Sequence, residues 1–426
     1  MKKLLFIVPF ISAGLAQAQD IDQIINAKEV ERIEKVLSAD EMKGRKTFSP
    51  EIEKAAAFIA DEFKSVGLQT WKNSGTYIQE FKMVRPKFIN AVGSFDHISV
   101  DARDVIVVTT KADLLVTETS GYERATIAAG ANLFSEASKY IQSEKNYLVI
   151  VDTSFAKMFG RLTGFKRALF ASETSTLFVL AVNQPKTFSI TAKHEITEQK
   201  LANVIAMIPG KSKKNEYVIF SGHYDHIGIG KAINNDSIYN GANDDAAGTT
   251  AMLMLSKYFS AKKDNERTLI FVAFTAEEIG GYGAQYCSRQ FNPMDVKAMF
   301  NIEMIGTESK WGKNSAYITG FEKTDMGKIL QENLKGTGFS FYPDPYTEQN
   351  LFYRSDNATL ARLGVPAHTI STSKMDNEPN YHKPSDEIST LDMENMAMIM
   401  KAIALSSKGI ISGKDTPSRV DVSTLK

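Results

Sequence analysis

The chain has 426 residues, 43% hydrophobic and 23% charged, with 27 Gly and 12 Pro. That composition excludes a disordered chain, a collagen-like repeat and a coiled coil, and at about 150 residues per domain the length predicts two or three domains. Lys and Arg number 50 against 50 Asp and Glu, so no basic field marks a nucleic-acid partner.

The chain opens with Lys2 and Lys3, an apolar run from Leu4 to Leu15, and Ala16-Gln17-Ala18. This is the pattern of a signal peptide over 1–18, cut after Ala18, which predicts a periplasmic or secreted protein. The run is shorter than the ~20 residues of a membrane-spanning helix, and no later stretch is apolar for long enough, so no membrane partner is expected. Cys287 is the only cysteine, and no intrachain disulfide can form.

Residues 20–83 read as helical. Ile52, Ala55, Ala56, Ile59 and Phe63 recur at helical spacing, and Gly67 stops the pattern. From about 84 to 200 the texture changes to short β-branched runs (104–108, 147–151, 177–182) around one helical stretch, 131–142. This region holds none of the residues assigned to chemistry below. It reads as an inserted accessory domain over 84–200, which leaves 19–83 and 201–426 as one catalytic domain.

From 201 onward strands alternate with helices. Strands are predicted at 203–208, 217–220, 268–274, 298–305 and 366–372, and helices at 245–259, 281–290, 325–336 and 391–408. Apolar strands alternating with helices predict an α/β fold, a mixed, mostly parallel central sheet with helices on both faces. Ligands in such sheets bind beyond the carboxyl ends of the strands.

Polar residues collect at those ends. The run 217–221 leads into Gly222-His223-Tyr224-Asp225-His226, and 268–274 into Thr275-Ala276-Glu277-Glu278. Gly241-Ala242-Asn243-Asp244-Asp245 precedes the 245–259 helix, and Asn380-Tyr381-His382 comes late. Each alone has a plain explanation as turn, cap or solvated pair. Glu303 is harder to dismiss, because it interrupts an apolar strand and a buried carboxylate needs a cation or a proton. Histidine with Asp and Glu, without Cys, is a zinc ligand set. His223, Asp244, Glu278, Glu303 and His382 would supply two metals that share one carboxylate. Asp225, two residues beyond His223 in an extended segment, is expected to accept the second imidazole N–H. His226 could be a third ligand, but its neighbour His223 already fills that role. His368, in an apolar run, reads as packed, and Cys287 as a buried thiol.

At these residues the sequence resembles the co-catalytic dizinc aminopeptidases of peptidase clan MH, whose relatives include glutamate carboxypeptidase II and the glutaminyl cyclases. The resemblance covers 201–408 and the 40–70 segment with Gly44-Arg45, and rests on five ordered motifs. His223-Tyr224-Asp225 matches His-x-Asp, which implies a zinc ligand at His223 and its supporting partner at Asp225. Gly241 to Gly248 matches the motif of the bridging aspartate, here Asp244, followed by a typically cis bond to Asp245. The Glu-Glu pair implies that Glu277 is the general base and Glu278 a ligand. A strand Asp of the family is replaced here by Glu303. Tyr381-His382 implies an oxyanion donor and a ligand of the second zinc. A further family segment, Arg-Ser-Asp-His, reads Arg354-Ser355-Asp356-Asn357. The insert resembles, in its place and short strands, a protease-associated domain.

The resemblance thus implies two Zn²⁺ per chain and an exported exopeptidase. It would hydrolyse N-terminal residues from peptides through a metal-bridging hydroxide, with Glu277 as general base. Peptides are the implied partners, and a homodimer is left open. The alternatives on the same scaffold are a carboxypeptidase, for which Arg354 is the candidate cation, a glutaminyl cyclase, or a catalytically silent peptide-binding protein.

Overall fold

The computed structural model describes residues 21–143 and 145–425. The leader expected over 1–18 lies outside the described residues. Two compact units are present, one formed by 21–79 with 202–425 and one by 80–201. Both boundaries fall inside continuous strands, Ile78–Phe95 and Phe188–Ile208. No helix among the described residues is long and apolar enough to cross a membrane.

In the first unit the central strands run parallel in the order Arg267–Phe274, Lys213–His223, Val296–Ile302, Ala367–Ser371. Antiparallel neighbours flank them: 202–208 beside 267–274, and Ser315–Ile318 beside 367–371. The sheet is buried on both faces, and alternate residues divide between two cores. Val218, Phe220, Leu269 and Phe271 point to one, and Ile219, Ile270 and Val272 to the other. This is the mixed α/β sheet with helices on both faces that the sequence predicts.

The helices Ala27–Leu37, Pro50–Ser65, Ala247–Lys262 and Met393–Ser406 cover the first face. Ser49 caps Pro50–Ser65 by accepting from the Ile52 amide, and a proline opens that helix. The 247–262 helix is buried almost all round, so a single apolar stripe describes it poorly. Tyr282–Ser288 lies on the other face, with Cys287 buried there and its thiol pushed by burial up to about 12. The second unit carries a four-stranded sheet in the order Val105–Val108, Thr176–Leu180, Tyr147–Val151, Glu123–Ile127, with the helix Leu133–Gln142.

One strand is shorter than predicted. The 296–302 strand stops at Ile302, one residue before Glu303, because Met304 takes a left-handed φ of 52°. Met304 and Ile305 are buried, but in a turn rather than in the strand.

Candidate metal centre

The strand Lys213–His223 lies between Arg267–Phe274 and Val296–Ile302, and the chain crosses to opposite sides of it in turn. At such a switch point the carboxyl ends open a crevice. His223 ends the central strand, Glu277 and Glu278 follow 267–274, and Glu303 follows 296–302. Asp244 and Asp245 arrive from the irregular turn before the 247–262 helix, joined by a cis peptide bond. His382 comes from a late loop, with a φ of 54°.

Asp244 is at the centre. Its Oδ1 stands 3.2 Å from His223 Nε2, and its Oδ2 stands 3.2 Å from His382 Nε2. Glu278 Oε2 is 3.3 Å from the same nitrogen of His382. Donor atoms of His223, Asp244 and Glu303 lie within 4.8 Å of one another, as do those of His226, Asp244 and Glu278. His223 Nε2, Glu278 Oε1 and Glu303 Oε2 are buried without a hydrogen-bond partner among the described residues. Converging, orphaned N and O donors without sulfur fit a borderline cation such as Zn²⁺. All five sequence-predicted ligands stand in this cluster.

Burial pushes the Glu303 carboxyl up to about 7, against the pull of His223. Burial also raises Glu277 well above the carboxylate range, again against His223, with Glu303 and Asp356 adding to the rise. Glu277 Oε2 lies 4.0 Å from His223 Nε2. Tyr381 stacks on His382 at 3.9 Å and lines a cleft with Glu303, Met304 and Arg354.

Asp225 behaves differently from the expectation. His223 Nδ1 meets its backbone oxygen at 3.1 Å, while the carboxylate Oδ1 is 3.7 Å away. The carboxylate instead accepts from the Glu277 amide at 3.0 Å, the Glu278 amide at 3.4 Å and the Thr47 hydroxyl at 2.9 Å. The reason is local: the strand ends at His223, so the two-residue parity of an extended chain does not carry to Asp225. Asp245 ties three segments together, accepting from the amides of His223 (3.1 Å), Gly248 (3.0 Å) and Met304 (3.0 Å).

Other residues hold the centre beyond those assigned to chemistry. The Arg45 guanidinium is fully buried and donates to the backbone oxygens of Leu37, Tyr224, Asn240 and Gly241. Asp386 accepts from the Asn243 amide at 2.9 Å and the Asp244 amide at 3.0 Å. Their burial cannot be read from a sequence, which offered only their place in the Gly44-Arg45 and Ser385-Asp386 segments. His226, which the sequence offers only as a third ligand behind His223, has its ring in the cluster, 2.7 Å from Glu278. His368 is packed in its strand, held by Thr319 O and Thr324 Oγ1, both at 2.8 Å. His97 and His194 belong to the 80–201 unit.

Comparison with known proteins bears out the resemblance. Residues 203–406 match the family model described as Peptidase family M28. The chain is 27% identical over 222 residues to Leucine aminopeptidase 1 of Metarhizium robertsii, covering 49% of this chain and 54% of that one. It is 24% identical over 334 residues to Aminopeptidase YwaD of Bacillus subtilis, covering 75% and 65%. The chain thus spans roughly half to two thirds of the length of these relatives. The fold is similar to that of an aminopeptidase from Aneurinibacillus sp. strain AM-1 (TM-score 0.55, 17% identity, covering 96% and 98%). It is also similar to glutaminyl cyclase of Porphyromonas gingivalis (TM-score 0.51, 11% identity, covering 91% and 99%).

Proposed function

We propose that this chain is a zinc-dependent aminopeptidase that removes residues from the N-termini of peptides, working outside the cytoplasm once a leader over 1–18 is cut. The observation that carries the reading is Asp244, which offers one carboxylate oxygen to each of two histidines. His223, Asp244 and Glu303 would hold one zinc, and Asp244, Glu278 and His382 the other. Bound zinc supplies Lewis acidity, which makes water more acidic and polarises a carbonyl.

The chain's own residues do the rest. Glu277, its amide fixed by Asp225, takes the proton of the attacking water and returns it to the leaving amine. Tyr381 donates its hydroxyl to the oxygen of the tetrahedral carbon, where such a donor typically contributes ~10²–10³ in rate. Residues 80–201 are, in this reading, an accessory insert outside the chemistry.

Arg354 lines the cleft beside Glu303 and Tyr381, which favours a second reading in which it receives a substrate's C-terminal carboxylate. A matched peptide panel decides between them. Free, N-acetylated and C-amidated versions of several sequences are incubated with zinc-loaded protein and read by mass spectrometry. Loss of N-terminal residues, blocked by acetylation, is the expected result. Blockage by amidation instead moves the reading to a carboxypeptidase, and intact peptides throughout overturn peptide hydrolysis.

A further inference from the structure

The ligand inventory leaves one buried histidine unexplained. The His226 ring is fully enclosed, and it packs so closely on Gly241 that a Cβ there would stand 2.6 Å from two of its carbons. The backbone holds it as well, through a bond from its amide to Arg45 O at 3.3 Å. The ring is therefore fixed, and it is fixed facing the ligands. Its Nδ1 is 2.7 Å from Glu278 Oε1 and 3.9 Å from Asp244 Oδ2.

At 2.7 Å a nitrogen and a carboxylate oxygen should form a strong hydrogen bond. The two groups approach as an ion pair, but neither ring nitrogen of His226, nor Glu278 Oε1, has a well-aligned hydrogen bond among the described residues. Two ligands of one ion stand in that relation. Each aims at a point beside the line that joins them, and with bonds of about 2.0–2.2 Å they lie about 3.3–3.6 Å apart at a tetrahedral angle and about 2.8–3.1 Å apart at the right angles of a five-coordinate ion, so ligation calls for a five-coordinate ion and a slight outward shift of the His226 ring from its 2.7 Å approach. Glu278 then divides its carboxylate, with Oε1 toward His226 and Oε2 toward His382.

Resting on the dizinc reading, we propose that His226 Nδ1 is a direct ligand of the ion held by Asp244 and Glu278. That ion gains a second imidazole beside His382, while the ion at His223, Asp244 and Glu303 keeps one. The two sites then differ in softness, and the one with two imidazoles is the more selective for zinc, cobalt or cadmium over harder cations. His223 has Asp225 as acceptor for its second ring nitrogen, whereas His226 Nε2 has none among the described residues. The support that usually strengthens a metal-bound histidine is therefore lacking at His226.

The test counts imidazoles on the metal. The full chain, with ¹⁵N in its histidine rings, is loaded with two equivalents of ¹¹³Cd²⁺, and cadmium–nitrogen couplings are read by NMR. Three coupled rings are expected, with the His226 signal assigned by its loss in His226→Asn. Two coupled rings, those of His223 and His382, would overturn the proposal and leave His226 as a residue that orients Glu278. Retention of no cadmium would overturn the dizinc reading itself. Competition with a chelator gives a second measure. His226→Asn should weaken one of two zinc sites by more than ~100-fold, beyond the ~10–100-fold loss typical of an orienting partner. A loss of tenfold or less would count against direct ligation.

Discussion

Asp225 commits its carboxylate to the backbone amides of Glu277 and Glu278, so one buried side chain sets where both glutamates stand. Asp225→Ala strands those amides, and each buried donor left unmade costs about 1–3 kcal/mol. We expect a lower melting temperature together with a turnover loss larger than the loss of zinc, measured by peptide assay and elemental analysis on the same preparation. The two glutamates themselves should separate cleanly. Glu277→Ala is expected to keep its zinc and lose turnover, and Glu278→Ala to lose zinc as well. Equal metal in Glu278→Ala and the parent protein would remove Glu278 from the ligand set. At this scale the sequence was legible wherever chemistry falls on a strand exit: His223, Glu277 and Glu278 are placed by their strands. It was illegible where the chain turns off the strand. The Asp225 carboxylate and the His226 ring lie just beyond a strand end, where parity no longer says which way a side chain points.

Elements are held at the centre by close approach as much as by apolar burial. A Cβ on Gly248 would stand 2.0 Å from the Ile302 backbone oxygen and 2.4–2.5 Å from both Asp245 carboxylate oxygens. Gly248→Ala should therefore push the 247–262 helix off the end of the 296–302 strand and displace Asp245 with it. The expected outcome is a destabilised protein that binds zinc weakly, read by thermal melts with and without metal. Phe220 tests the core under the same helix. It stacks on Phe259, Phe271 and Phe300 with centroids 5.5, 5.6 and 4.9 Å away. Phe220→Ala should cost about 3–5 kcal/mol by chemical denaturation, with the metal ligands untouched. Apolar runs found these strands because both faces of the sheet are buried. The 247–262 helix starts later than its predicted 245 because residues 242–246 form the irregular turn that carries Asp244 and Asp245. Composition gives no sign of that turn, since Asn and Asp suit a helix cap equally well.

For the whole molecule, pH is a lever that works away from the metal ligands. Burial lowers His368 to about 4, from an ordinary 6.5. The unfolded chain therefore binds the proton first as pH falls, and the stability from a neutral His368 is complete above about 6.5 and lost toward about 4. His368→Gln should flatten the acid limb of a melting-temperature profile relative to the parent, and an unchanged limb would refute the assignment. The unit boundaries are a further case where sequence texture informs only so far. They fall within Ile78–Phe95 and Phe188–Ile208, so no Gly- or Pro-rich linker marks them.

Arg45 has a kinetic consequence. Its guanidinium is bonded to Tyr224, Asn240 and Gly241, between 179 and 196 residues further along the chain. A ribosome delivers the cation long before it delivers the carbonyls, and His382 later still. Closing so long a loop is slow compared with forming local helices. Until it closes, the His223 and Asp244 segments lack their common anchor. In the proposed reading metal capture is accordingly a late event in folding, because the candidate ligands are all present in the chain before the crevice that gathers them has closed.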